Sequence, residues 1–201
     1  MAMTSAPFGL TPVRYLNGAP WNNQMTLYYI ASTDTNAYAI GDPATLSGDG
    51  SALGVPGVTL ATAGTGDVVL GPIVTAGAVV EGGAFVDPAN MGNTTIIPAT
   101  KTYGYFVGVV DDPNVVFAIR ESNDSTAFTS ANIGENANLV SGANNGYVSG
   151  WGLAETGVAT TSTLQLKLLG LQRTQGNIFG HFAIWHVLIN NHQYRSGITG
   201  V

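Results

Sequence analysis

Turn-forming residues punctuate this chain so densely that no long regular helix can be laid down in it. The 201 residues include 27 glycines and 9 prolines. Between the turn clusters lie short apolar or alternating runs, such as 26–30, 58–62, 67–70, 104–110, 115–121, 163–171 and 179–189. Runs of that length, rich in Val, Ile, Thr and Tyr and bounded by Gly, Pro, Asn and Asp, are the signature of strands and tight turns. No segment holds a 3.6-residue apolar period with a cap at both ends. Short helical turns are expected only near Ser130–Leu139 and Pro88–Met91. The fold class that follows is all-β: Gly-rich small β-barrel or sandwich units, an extended N-terminal arm and little helix.

Composition shifts suggest three parts. Residues 1–24 carry three prolines among Phe8, Leu10, Val13, Tyr15, Leu16 and Trp21. Such a stretch is too broken for a regular element and too apolar to stay in water, so it is expected to lie extended against something. Residues 25–90 form a Gly-rich β unit whose stretch 41–86 suits a small barrel with tight corners. Residues 91–201 form a second β unit. The boundary, placed at 87–100, is soft, and a single domain is an alternative. In the second unit, two apolar arms around Asp111-Asp112-Pro113-Asn114 predict a hairpin. Alternation places Leu164 and Leu166 inward and Gln165 and Lys167 outward. In the strand expected over 179–189, His181, Ala183, Trp185, Val187 and Ile189 share one face.

Charge excludes several functions. Only 9% of residues are charged, against roughly 25% in ordinary soluble domains. With six basic residues and a net charge of −6, no stripe can neutralise many phosphates, so nucleic-acid binding is not expected. The absence of cysteine rules out disulfides, thiolate metal sites and cysteine nucleophiles. The N-terminal MAMTSAPFGL lacks the basic-then-apolar pattern of a secretory leader. The most apolar stretch, 68–86, is broken by Pro72, Glu81 and several glycines, so a membrane-spanning helix is not expected.

Signatures of catalytic chemistry are nearly absent from the sequence. There is no G-x-S-x-G and no phosphate-binding loop with its lysine. His181, His186 and His192 lie close in sequence. However, strand alternation puts His181 and His186 on opposite faces, there is no H-E-x-x-H, and no nearby carboxylate is expected to complete a ligand set. Asp111 and Asp112 read as turn residues, as does the stretch 47–51. The sequons at Asn93 and Asn123 read as coincidental in a Thr- and Asn-rich chain. Trp185 reads as core. Trp151, flanked by Gly150 and Gly152, is the tryptophan expected to be exposed for subunit or ligand contact. No catalytic residue, cofactor or metal is expected. A surface this poor in charge suits a protein covered by other subunits.

The N-terminal PFGLTPVRYLNGAPWN and the C-terminal LQLKLLGL and NIFGHFAIWHVLINNHQYRSGITGV together resemble a family of tailed-bacteriophage capsid decoration, or cement, proteins. That resemblance implies a non-enzymatic, β-rich virion protein without cofactors. It would be made in the host cytoplasm and dock as a homotrimer on the outer surface of the phage head, tying neighbouring major capsid protein subunits together. Phe8, Leu10, Tyr15 and Trp21 would then be the apolar anchors of a capsid-binding arm. The rival readings are a carbohydrate-binding module using Trp151, Tyr147 and Asn144 or Asn145, a tail or baseplate structural module, and a hydrolase with an uncommon site.

Overall fold

The structure, a computed structural model, describes residues 5–78, 96–195, 197 and 200. The turn expected at Pro88–Met91 and the sequon at Asn93 lie outside these residues. Among the described residues, fourteen strands account for the regular structure, and the only helical turn is a 3-10 turn at Ser130–Asn132. The all-β expectation holds.

Five strands close a barrel in the order β2-β5-β4-β6-β8. These are β2 (Thr26–Ile30), β4 (Pro43–Gly50), β5 (Pro56–Leu60), β6 (Gly71–Ala78) and β8 (Tyr105–Val109). All neighbours run antiparallel except β2 and β5, which close the cylinder in parallel at Tyr29 and Gly57. Alternation does the sorting. Tyr28, Ile30, Val107 and Val109 point into the barrel with Val58, Leu70 and Ile73. Tyr29 and Phe106 point outward and meet edge-to-face at 5.8 Å. A two-stranded pair, β3 (Tyr38–Ala39) with β7 (Ile96–Ile97), adds Tyr38 and Ile97 to this interior. Gly71 lets the strands come close, since a Cβ there would sit 1.9 Å from the Val110 carbonyl oxygen.

The second body is an antiparallel sheet ordered β1-β9-β14-β13-β10. Its strands are β1 (Thr11–Tyr15), β9 (Val115–Arg120), β10 (Asn136–Ala137), β13 (Leu166–Leu171) and β14 (Ile184–Ile189). Phe117, Ile119, Leu166, Leu168, Trp185, Val187 and Ile189 build its core. The pair β11 (Leu139–Val140) and β12 (Gly152–Leu153) contributes Leu139 and Leu153. The face predicted for β14 is the buried one: Ala183, Trp185, Val187 and Ile189 all lie in this core.

Two expectations need correction. The Asp111–Asn114 turn does not close a hairpin. Arm 104–110 pairs inside the barrel with β2 and β6, and arm 115–120 pairs with β1 and β14, so the turn carries the chain from one body to the other. The boundary at 87–100 fails for the same reason, because β8 lies beyond it and completes the barrel begun at residue 26. The N-terminal segment, expected to lie extended against something, lies against its own chain. Thr11–Tyr15 is the edge strand of the sheet, in register with Val115–Ala118.

The two bodies are laced together. Val69, just before barrel strand β6, bonds the backbones of Asn191 and Gln193 at 3.0 Å each. Gln165, predicted to face solvent, is buried. Its Oε1 accepts from the backbone N–H groups of Gly64 and Leu139, and its Nε2 donates to the Thr62 carbonyl at 2.7 Å. A buried amide satisfied in this way ties the β5–β6 connection to the sheet. On the barrel's flank, the ammonium of buried Lys101 lies 3.5 Å from Asp34 Oδ1 and donates to the Asn36 carbonyl.

Candidate functional site

Three titratable side chains from three separate loops converge at one end of the sheet: Glu121, Glu155 and His181. Glu121 follows directly on β9, where its backbone N–H donates to the Ala183 carbonyl. Glu155 follows β12, and its N–H is held by Asp124 Oδ1 at 2.8 Å. His181 lies in the loop before β14. One ligand-type atom from each of the three lies within 4.8 Å of the others.

The environment is unusual for carboxylates. Glu121 is 1% exposed and Glu155 3%. Buried ionised groups are tolerated only when hydrogen-bonded or paired. Glu121 Oε1 accepts from the Phe128 N–H at 2.7 Å, and Oε2 accepts from the Trp185 indole at 2.8 Å. Glu155 Oε2 accepts from the Ser125 N–H at 3.0 Å, while Oε1 lies 2.8 Å from His181 Nδ1. Burial pushes the Glu121 carboxyl up to about 7. The Phe128 and Trp185 donors oppose that rise, and the neighbouring Glu155 adds to it. The His181 side chain is 42% exposed and forms the solvent side of the cluster. Glu121 also borders a cleft of about 370 Å³, lined by Arg120, Ser122, Asn123 and Phe182 among others.

Sequence reasoning missed this cluster for a specific reason. It extended a strand through 179–183 and assigned His181 a face by alternation. The strand in fact begins at Ile184. Gly180 has φ +142° and Phe182, a non-glycine residue, has φ +65°. That backbone breaks the alternation and turns His181 toward Glu155. The carboxylates are distant in sequence and meet the histidine only through the sheet topology. Of the other histidines, His186 lies within β14, and burial with the nearby Arg14 holds its imidazole below the usual range. Buried His192 is pushed down to about 4 by burial and Arg195.

The residues chosen for a capsid-binding arm fare unevenly. Leu10 is 1% exposed and belongs to the sheet core, so it cannot anchor on a partner. Its N–H donates to the Gly41 carbonyl, and Gly9 N–H to that of Trp151. Tyr15 and Trp21 are half-buried against the same core, and Phe8 sits under the Arg120 guanidinium at 5.7 Å. Their apolar surface is thus partly used within their own chain. The large apolar side chains this segment leaves exposed are Leu16 and, just beyond, Met25. Trp151 is corrected outright. At 4% exposure it packs in the core, while neighbouring Tyr147 is exposed. Among the described residues no helix is long and apolar enough to cross a membrane.

The class defined by these features is an all-β protein in which a closed five-stranded barrel is fused to a five-stranded antiparallel sheet. Comparison with protein-family models, with curated proteins and with solved structures found no match.

Proposed function

We propose that this chain is a structural virion protein without enzymatic activity: a capsid decoration, or cement, protein. It binds the outer surface of a phage head as a homotrimer and ties neighbouring major capsid protein subunits together. The observation that carries this reading is the character of the surface. The chain has six basic and twelve acidic residues, and Lys101, Asp42, Glu121 and Glu155 are withdrawn into the interior. Four of the eighteen charged side chains are thereby kept from the outside of a chain already poor in charge. Meanwhile Leu16, Met25, Leu53, Tyr103, Ile178 and Phe179 are exposed. Depletion of charge together with exposed aromatic and aliphatic residues is what subunit contacts look like before the partner arrives. The resemblance of both termini to phage decoration proteins supplies the partner.

The docking scheme follows from which side chains are free. Leu16 and Met25 replace the core residue Leu10 as the anchors near the N-terminus. A trimer presents three such contacts at once, so weak single contacts add up to firm attachment through effective concentration. A carbohydrate-binding reading loses its tryptophan, because Trp151 is buried. A tail or baseplate location is separated by labelling virions with gold-conjugated antibody against this protein. Gold over the heads is the expected result, and gold confined to tails or absent from particles overturns the proposal.

A further inference from the structure

We propose that Glu121, Glu155 and His181 form a binding site for a divalent transition-metal ion of the zinc class. The inference stands on geometry and does not depend on the virion reading.

The first support is the ligand set. Two carboxylates and one imidazole, with one atom of each within 4.8 Å of the others, match what zinc accepts. Calcium and magnesium are poor candidates, because they call for shells of oxygen and make little use of imidazole.

The second support is that donors from outside the set fix both carboxylates. The Phe128 amide, the Trp185 indole and the Ser125 amide each hold one carboxylate oxygen, and they come from two separate parts of the chain, the loop after β9 and strand β14. Hydrogen bonds of this outer kind orient metal ligands. Trp185 is itself locked in the core, with Phe128 edge-on at 5.6 Å, so the indole cannot drift from Glu121. Each carboxylate oxygen keeps a lone pair beyond the one these donors use.

The third support is charge. The two glutamates are nine-tenths and more buried, and among the described residues the basic group seen in an ion pair with them is His181. Two buried carboxylates side by side need a proton or a cation between them. A divalent ion neutralises both. It also turns the His181 Nδ1 from a partner of Glu155 into a ligand. Entry is open on the side of the half-exposed imidazole, where solvent can complete the coordination.

The test uses untagged full-length protein freed of metal by chelation and then titrated with zinc chloride. Calorimetry is expected to show one zinc per chain, with a rise in melting temperature at saturation. Millimolar magnesium or calcium is expected to give no such rise. His181→Ala should stay folded, though melting somewhat below the metal-free parent because Glu155 loses its imidazole partner, and should bind zinc at least roughly tenfold more weakly. Glu155→Gln should abolish site binding. Because that buried change could also impair folding, cobalt is the second readout. Its visible ligand-field absorption should appear in the parent and be lost in His181→Ala. The proposal is overturned if zinc produces no heat and no stabilisation. It is equally overturned if His181→Ala binds zinc and cobalt as the parent does, which would place the metal elsewhere.

Discussion

Replacing Leu10 by alanine asks whether the N-terminal segment belongs to the folded body or merely rests on it. Leu10 sits in the same core as Phe117, Trp151 and Trp185. Fully buried Leu→Ala changes cost about 2–5 kcal/mol, depending on how far the site collapses. Here the backbone has little room to follow. Gly9 and Gly41 cross so closely that a Cβ on Gly9 would lie 2.2 Å from the Gly41 carbonyl oxygen. A cleft of about 300 Å³ borders Leu10, Trp21 and Val74, and water entering from it relieves part of the cavity penalty. These opposing effects place the expected loss near the middle of the range, at about 3 kcal/mol. For a chain of this size that is a fall of roughly 6–12 °C in Tm. Urea unfolding followed by tryptophan fluorescence measures it, with an unchanged m-value showing that the unfolded state is the same. Leu16→Ala, at an exposed position in the same segment, is the control and should stay within about 0.5 kcal/mol of the parent. If Leu10→Ala behaves like the control, the segment is not an integral strand and the reasoning fails.

Gly71→Ala should cost about 3 kcal/mol, because the new methyl group meets the Val110 carbonyl where the barrel passes into the sheet; a melting curve matching the parent would contradict that close approach. In metal-free protein, Glu121 and His192 should pull the pH dependence of stability in opposite directions. The folded state keeps a proton on Glu121 between its ordinary 4.5 and about 7, so that group's contribution falls as pH rises. The unfolded chain binds a proton on His192 between about 4 and its ordinary 6.5, where the folded state does not, so that contribution grows as pH rises. Each effect amounts to about 3 kcal/mol across its window. Relative to the parent, His192→Asn should therefore lose stability from pH 5 to 7 and Glu121→Gln should gain it; urea midpoints at the two pH values would refute this by showing the same sign for both. Light scattering during size exclusion should give a mass near three times 20.7 kDa for the homotrimer, and a monomer at all concentrations would count against self-assembly in solution.

Side-chain alternation was readable wherever a strand stands between a core and another environment. The inward set of β14 and the turn-rich barrel strands are legible for that reason. Pairing partners were not legible. Val107 and Val109 reveal that β8 has a buried face, but nothing local says that β8 joins β2 and β6 across the chain rather than the adjacent β9. The period of two fixes a face and leaves the neighbour open. The polar residues of the interior escaped for a related reason. Gln165 looks like a solvent-facing residue in an alternating strand, and only the carbonyl of Thr62 and the amides of Gly64 and Leu139 make its burial affordable. The Glu121–Glu155–His181 cluster needed both long-range pairing and a positive φ at Phe182, a feature that a bulky residue does not advertise. Leu10 shows the converse, since its apolarity was evident while the partner it would bury against was not.

On the proposed reading, a capsid completes this protein's sparsely charged surface. The most direct measurement is co-sedimentation of the purified protein with phage heads assembled without it. The account predicts saturable binding, with the protein moving into the head fraction in a fixed ratio to the major capsid protein and the heads becoming more resistant to heat. Protein that stays at the top of the gradient at every concentration, leaving the heads unchanged, would contradict it.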